Sequence, residues 1–223
     1  MLVKDYMTHH PIMVEPGRRV VDAQRLMAEN NISQLPIVGD GKRLMGMVTR
    51  EGLAVRPAQL DSMNFWELTD YLGKLTVGKV MLPLKELATI GPDSTLEEAA
   101  DLLLSGRTSG LPVVEASNIV VGIITQTDLL VQLRDLLGAI DPGWRVVVRV
   151  PDRMGEFRKL VQVISANNWG IMAMGCVRSP RHPEAWDILL KLRYCEREEL
   201  VAALSAIEGQ SIVDLRETTP HKR

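Results

Sequence analysis

The residues best placed to do chemistry form one short run, Gly122-Ile123-Ile124-Thr125-Gln126-Thr127-Asp128. Asp128 is a carboxylate three positions after a threonine, and both threonine hydroxyls stand where a helix would begin. On the residues alone, two uses are open. Asp128 can accept hydrogen bonds from ligand hydroxyls while Thr125, Thr127 and free helix N–H groups hold an anion such as phosphate. Thr125 and Asp128 also have the spacing of a capping box, which steadies a helix start with no ligand at all. Other chemistry finds less support. His9, His10, His182 and His221 are scattered, and no Ser-His-Asp or His/Cys group stands at catalytic or metal-ligand spacing, so neither catalysis nor a metal site is expected. His9 and His10 fall in a loop that could touch phosphate, although solvated side chains are the simpler reading. Cys176 and Cys195 have no further ligand nearby and are read as reduced core residues. Among the 11 methionines, Met7, Met27, Met45, Met47 and Met81 read as adaptable core filler.

The elements that must position this run are duplicated. Ser33-Gln34-Leu35-Pro36-Ile37-Val38 matches Ser109-Gly110-Leu111-Pro112-Val113-Val114, and Gly46-Met47-Val48-Thr49 matches Gly122-Ile123-Ile124-Thr125, all at an offset of 76. Val20-Val21-Asp22-Ala23 answers to Leu96-Glu97-Glu98-Ala99 at the same offset. Upstream, Val3 to Met7 matches Val77 to Met81 at an offset of 74, so a two-residue length difference lies between. Val20, Ala23, Leu26 and Met27 recur at helical spacing after Pro16-Gly17. Leu35 to Val38 and Leu44 to Val48 are short apolar runs around Gly39-Asp40-Gly41. Each copy therefore reads as β-α-β-β-α. One copy of about 55 residues buries too little surface to be comfortable alone, so the pair is expected to pack sheet to sheet around one core. The insert with Phe65-Trp66-Glu67-Leu68 and Tyr71-Leu72 reads as a connecting amphipathic helix.

The order Met7-Thr8, Pro11-Ile12, Val21-Asp22-Ala23, Leu35-Pro36-Ile37-Val38 and Gly46 to Thr49, with its second copy ending at Thr127-Asp128, resembles a tandem CBS-domain pair, the Bateman module. The resemblance covers residues 1 to about 136: repeat 1 at 1–58, a linker at 59–76 and repeat 2 at 77–136. It implies that Gly-apolar-apolar-Thr-x-x-Asp binds the ribose and phosphate of an adenine nucleotide, through Ile123, Thr125, Thr127 and Asp128. It also implies that the adenine meets the other copy near Thr8, Pro11, Ile12, Ser33, Gln34, Leu35 and Pro36. The mirror-image run Gly46 to Gly52 departs from the pattern, because Gly52 stands where the carboxylate should. A second, degraded pocket is expected around Thr49, Arg50, Thr89, Ile90, Ser109, Gly110, Leu111 and Pro112, empty or holding a different ligand.

After Asp141-Pro142-Gly143 the repeat has no counterpart. The patterning predicts a strand at 145–150, a helix at 156–166 with a buried stripe of Phe157, Leu160, Val161 and Ile164, a hairpin of 171–177 with 186–192, a helix at 196–207 and a strand at 211–215. This is the βαββαβ, ferredoxin-like plan, so the fold class is α/β and α+β. With Val150-Pro151-Asp152-Arg153-Met154-Gly155 at the first strand-to-helix turn, residues 144–217 resemble an ACT domain, a family of small regulatory amino-acid binders. That resemblance points to Asp152, Met154, Gly155 and Ile171 as ligand or interface residues, with an amino acid or other small metabolite as the ligand. The alternative is that Gly155 serves only a tight turn in a domain that dimerises. The whole arrangement looks like the acetoin-utilisation accessory proteins. The tail from Thr218 is expected to fray.

Composition narrows the class. Of 223 residues, 46% are apolar and 24% charged, and 26 basic against 28 acidic side chains leave a net charge of -2. A nucleic-acid binder normally carries a basic excess, and none is present. No apolar run approaches the length of a bilayer helix and Met1 to Asp5 is no signal peptide, so a cytoplasmic location is expected and no membrane. The expectation is a non-catalytic homodimeric regulator that binds an adenine nucleotide and acts on an unknown target protein. The alternative is a ligand-independent homodimeric interaction scaffold.

Overall fold

The computed structural model describes residues 1–53 and 73–219. The insert with Phe65, Trp66 and Tyr71, which holds most of the expected connecting helix, lies outside the described residues, as does His221. The chain divides into two compact units, the first from Met1 to Leu129 and the second from Leu130 onward.

In the first unit, α1 (Val3–Tyr6), β1 (Thr8–His9), α2 (Val20–Glu29), β2 (Gln34–Val38) and β3 (Leu44–Thr49) make up the first copy. The second copy follows as α3 (Val77–Val80), β4 (Leu82–Pro83), α4 (Leu96–Ser105), β5 (Gly110–Glu115), β6 (Ile119–Thr125) and α5 (Gln126–Leu136). Periodicity explains the longer helices. α2 buries Val20, Ala23 and Met27, and α4 buries Leu96, Ala99 and Leu103, the same positions of the repeat. Thr95 and Glu98 close a reciprocal capping box that starts α4.

The short first strands are exchanged between copies. β1 pairs with β6 (Thr8↔Ile123, His9↔Gly122), whereas β4 pairs with β3 (Gly46↔Pro83, Met47↔Leu82). The two sheets therefore run β1-β6-β5 and β2-β3-β4. The short helices go with their strands. Val3 and Met7 are buried in the second copy's core with Ile90, Leu111 and Ile124, while Val77 is buried in the first copy's core with Leu35, Ile37 and Val48. The expected single shared core is thus replaced by two cores, each completed by the other copy, with a smaller cluster of Val38, Leu44 and Val120. The exchange accounts for the repeated glycines. A Cβ at Gly46 would collide with the Leu82 carbonyl oxygen, and one at Gly122 with the Met7 sulfur. Met27 and Met47 are core residues as expected; Met45 is 40% exposed, because it alternates out of β3.

The second unit contains β7 (Gly143–Pro151), α6 (Glu156–Ala166), β8 (Gly170–Arg178), β9 (Ala185–Arg193), α7 (Arg197–Ser205) and β10 (Ser211–Thr218), an antiparallel sheet of order β10-β7-β9-β8. Alternate residues Val146, Val148 and Val150 of β7 and Ile188, Leu190 and Leu192 of β9 form its core with Leu160, Ile164, Leu200 and Leu204 of the helices. Three details differ from expectation. Phe157 is exposed and Val163 packs on the core in its place, since the apolar stripe of α6 is phased by Leu160 and Ile164. Cys176 is exposed on β8 and Cys195 only partly buried, so neither is a full core residue. Thr218 does not fray; it ends β10 and its hydroxyl donates to the Gly143 carbonyl at 2.8 Å. On the sheet face away from the core, Arg149 holds Asp187 through two bonds of 2.8 and 3.0 Å. Beside them Lys191 is 1% exposed, and its Nζ has no hydrogen-bond partner among the described residues. Gly138 lies directly over Ala173 and the Lys191 stem, and Leu137 over Gly175. Burial pushes the Lys191 pKa below the ordinary lysine range, with Asp141 only partly offsetting it. Among the described residues no helix is long and apolar enough to cross a membrane.

Candidate ligand-binding site

The strand exchange builds a cleft. Because β1 lies antiparallel to β6 with Thr8 opposite Ile123, the start of β1 stands beside the end of β6, two residues before Thr125 and the run to Asp128. Between the copies is a cavity of about 450 Å³, within the range of small-molecule sites. Thr8, Pro11, Ile12, Ser33, Gln34 and Pro36 of the first copy line it, opposite Ile123, Thr125, Thr127 and Asp128 of the second. Leu35, expected with them, is fully buried in the core instead, because successive strand residues point to opposite faces and Gln34 and Pro36 take the cavity face.

Sequence reasoning missed several lining residues. Asn30, Asn31 and Ile32 line the cavity from the end of α2, and Ser109 and Gln126 from the second copy. The available signal was the pair Asn30-Asn31 where α2 stops, Asn31 taking a left-handed φ of 52° that asparagine tolerates. His10 also lines the cavity, with a φ of 49°, while remaining solvent-exposed as expected.

Asp128 carries out the capping reading. Its Oδ2 accepts from the Thr125 N–H at 2.8 Å and the Thr125 hydroxyl at 2.7 Å, and its own N–H faces Thr125 Oγ1 at 3.3 Å. Those contacts involve only one carboxylate oxygen, so Oδ1 remains uncommitted to the cap. Capping and ligand binding are compatible in this geometry. Gln34 is the second polar feature. It is 5% exposed, its Oε1 has no partner among the described residues, and its amide lies against Gly110, where any Cβ would overlap it. A buried amide with an unused acceptor in a cavity wall is costly unless something donates to it.

The mirror-image turn keeps the cap and loses the carboxylate. The Gly52 N–H donates to Thr49 Oγ1 at 3.0 Å, as Asp128 does to Thr125. Arg50 donates from its backbone to the Ser33 carbonyl and from Nη2 to the Ile32 carbonyl at 3.0 Å; Gln126 makes the same two contacts with Ser109 and Thr108. Of the residues expected around the degraded pocket, Ile90 and Leu111 are corrections. Both are buried in the second core, Ile90 bridging Val113, because Ile90 corresponds in the repeat to core residue Val14. Gly110 is covered by Gln34, Pro112 is buried, Thr89 is half-buried and Ser109 lines the opposite cavity.

In the second unit, Asp152 lines a cavity of about 510 Å³ with Arg149, Arg153, Glu184 and Ser211. The Trp186 indole, then Arg178, hold its carboxyl below the usual carboxylate range. Arg178 donates to it at 3.2 Å and stacks 4.6 Å over the Trp186 ring. Gly155, at a φ of 85°, precedes α6 in the left-handed region. Met154 and Ile171 are exposed and do not line this cavity.

The family model for the CBS domain matches residues 3–56 and 77–135, the two copies that form the cleft. The chain belongs to the CBS-domain family. A crystal structure of the CBS domain pair of protein MJ0100, in complex with 5′-methylthioadenosine and S-adenosyl-L-methionine, is 26% identical. It covers 60% of this chain and 97% of that one, with a TM-score of 0.50. A Vibrio cholerae structure described as an acetoin utilization protein (AcuB) is 28% identical, covering 62% and 93%, with a TM-score of 0.52. The CBS pair also occurs inside longer proteins. An inosine-5′-monophosphate dehydrogenase from Korarchaeum cryptofilum is 34% identical over 118 residues, which are 53% of this chain and 21% of that enzyme. The chain spans less than half the length of several curated relatives that it matches.

Proposed function

We propose that this CBS protein is a regulatory module, not itself catalytic, whose CBS pair binds an adenine nucleotide or a related adenosyl ligand in the cleft between its copies. The observation that carries the reading is the cavity in which the Asp128 carboxylate of one copy faces Thr8, Pro11, Ile12, Ser33 and Gln34 of the other. In this reading Asp128 Oδ1 takes the ribose hydroxyls, while Pro11, Ile12, Pro36 and Ile123 flank the base. Thr125, Thr127 and the start of α5 meet the 5′ substituent. A ligand bridging both copies favours one arrangement of them, and its differential affinity is what the module transmits to a target. The adenosyl ligands of the MJ0100 pair support the ligand class.

For the second unit, the β-α-β-β-α-β order and the β10-β7-β9-β8 sheet support the ferredoxin-like, ACT-type reading. The Asp152 cavity supports a small-metabolite site, whereas exposed Met154 and Ile171 suit an interface. A homodimer is supported by α5, where no residue is buried and Leu130, Leu133 and Leu136 are each more than half exposed.

Calorimetric titration of the full chain with adenosyl ligands tests the sensor reading. Asp128→Ala should weaken binding on the order of 100-fold by removing charge-assisted hydrogen bonds, and lower stability by about 1 kcal/mol through the lost cap. Asp128→Asn, which keeps an acceptor for the cap, separates the two losses. If the wild-type protein releases no heat and shows no thermal shift with any adenosyl ligand, the interaction scaffold is the better account.

A further inference from the structure

The charge of the cleft bears on which adenosyl ligand it takes, a question that rests on the adenosyl reading above. Among the described lining residues there is no lysine or arginine; Asp128 carries the one fixed charge, and it is negative. Among the described lining residues, His10 is the only other titratable side chain. The remaining polar groups are neutral amides and hydroxyls, Asn30, Asn31, Gln34 and Gln126 among them.

The helix start offers less to an anion than its position suggests. An unencumbered helix N-terminus presents several free N–H groups and about half a positive charge. Here the Thr125 N–H already donates to Asp128, the Gln126 N–H to the Ser109 carbonyl, and the Asp128 N–H faces the Thr125 hydroxyl. Thr127 contributes the N–H that is left, beside the negative charge of Asp128, three residues after Thr125. A polyphosphate brings roughly three to four negative charges, which proteins ordinarily meet with Lys, Arg or a metal ion. The cation of the duplicated turn sits in the other copy: Arg50 occupies the position that Gln126 holds here.

We infer that the cleft selects an adenosine whose 5′ substituent is uncharged or cationic, a thioether or sulfonium, over adenosine polyphosphates. Thr125 and Thr127, which meet that substituent, are uncharged, and the Asp128 carboxylate attracts a sulfonium charge where it repels a phosphate chain. Two adenosyl ligands of this chemistry occupy the MJ0100 pair.

The test is calorimetric titration of the full chain, at one fixed low ionic strength, with 5′-methylthioadenosine, S-adenosylmethionine, adenosine, AMP and ATP, the last with and without magnesium. Methylthioadenosine or S-adenosylmethionine should bind about 100-fold more tightly than ATP, with AMP between them. ATP binding as tightly as methylthioadenosine overturns the inference and leaves the adenosyl reading standing. Binding of none of the five overturns the adenosyl reading itself. Gln126→Arg adds the missing cation and should raise the affinity for AMP relative to methylthioadenosine about tenfold; an unchanged ratio overturns the charge argument.

Discussion

The two copies turn from their last strand into the next segment with the same backbone bonds and different chemistry. In both, a threonine caps the turn: Thr49 Oγ1 accepts from the Gly52 N–H and Thr125 Oγ1 faces the Asp128 N–H. In both, the next residue donates from its backbone and its side chain to two successive carbonyls, Ile32 and Ser33 or Thr108 and Ser109. Only the second copy adds a carboxylate. The fold therefore needs the threonine twice and the carboxylate nowhere, since the first copy forms the same turn without it. Asp128 improves its cap, but a role beyond architecture is the simplest reason for one copy to carry an acid where the other carries glycine.

The strand exchange offers the sharpest way to break this symmetry. Gly46 and Gly122 are equivalent in the repeat, yet a Cβ at Gly46 meets a backbone oxygen of β4 whereas one at Gly122 meets the flexible end of Met7. Gly46→Ala should cost the first unit about 3 kcal/mol, because β4 must shift, and Gly122→Ala about 1 kcal/mol, because the Met7 side chain can turn away. Denaturant unfolding of each variant, followed by a probe in the first unit, reads both; equal losses would mean that the two crossings are not held as described.

The second unit supplies an outside reference, because it buries a charge where the duplicated unit buries a neutral amide. Lys191→Met should raise its stability by about 1–3 kcal/mol at neutral pH, as an ammonium with no hydrogen-bond partner among the described residues is replaced by an apolar side chain of similar length. The pH dependence has a definite sign. With the folded pKa below the ordinary lysine value, the unfolded chain binds more protons between the two, so stability rises with pH across that window. The Met variant should lack that rise, and an unaltered slope would show that Lys191 is solvated in the native protein.

Much of this was legible in the sequence, for reasons that particular residues make plain. The repeat and its helices could be read because Val20, Ala23 and Met27 recur as Leu96, Ala99 and Leu103 with the 3.6-residue period of a helix. The exchange could not. A two-residue strand such as Thr8-His9 reads the same whichever sheet it joins, and hydrophobic pattern reports burial without naming the neighbour. The one trace of it was the change of offset from 74 to 76. That change falls between Met81 and Pro92, where the chain leaves β4 in the first copy's sheet and returns to its own copy. Leu35, Leu111 and Ile90 were misassigned when contiguous motif residues were taken as one surface, although a strand's alternation separates them. His10 and Asn31 escaped because left-handed backbone at loop positions leaves no periodic signal.

The smallest expected effect is also the most direct check on the comparison between the copies. Gly52→Asp restores to the first turn the residue that distinguishes the second. A Cβ at Gly52 would stand 3.3 Å from Thr49 Oγ1, a tight contact that the hydroxyl relieves by turning toward the new carboxylate to complete a capping box. The expected gain is about 0.5 kcal/mol of stability. The Arg50 guanidinium already lies at that turn, so a restored acid there would stand beside a cation that Asp128 lacks. If the carboxylate is what makes a cleft bind adenosine, the variant should take up a second, weaker equivalent of ligand, and a phosphate-bearing one should be preferred at that new site. Should the stability rise while the stoichiometry stays at one, the cap would be independent of binding, and the depth of the second cleft, covered at Gly110 by Gln34, would be what limits it.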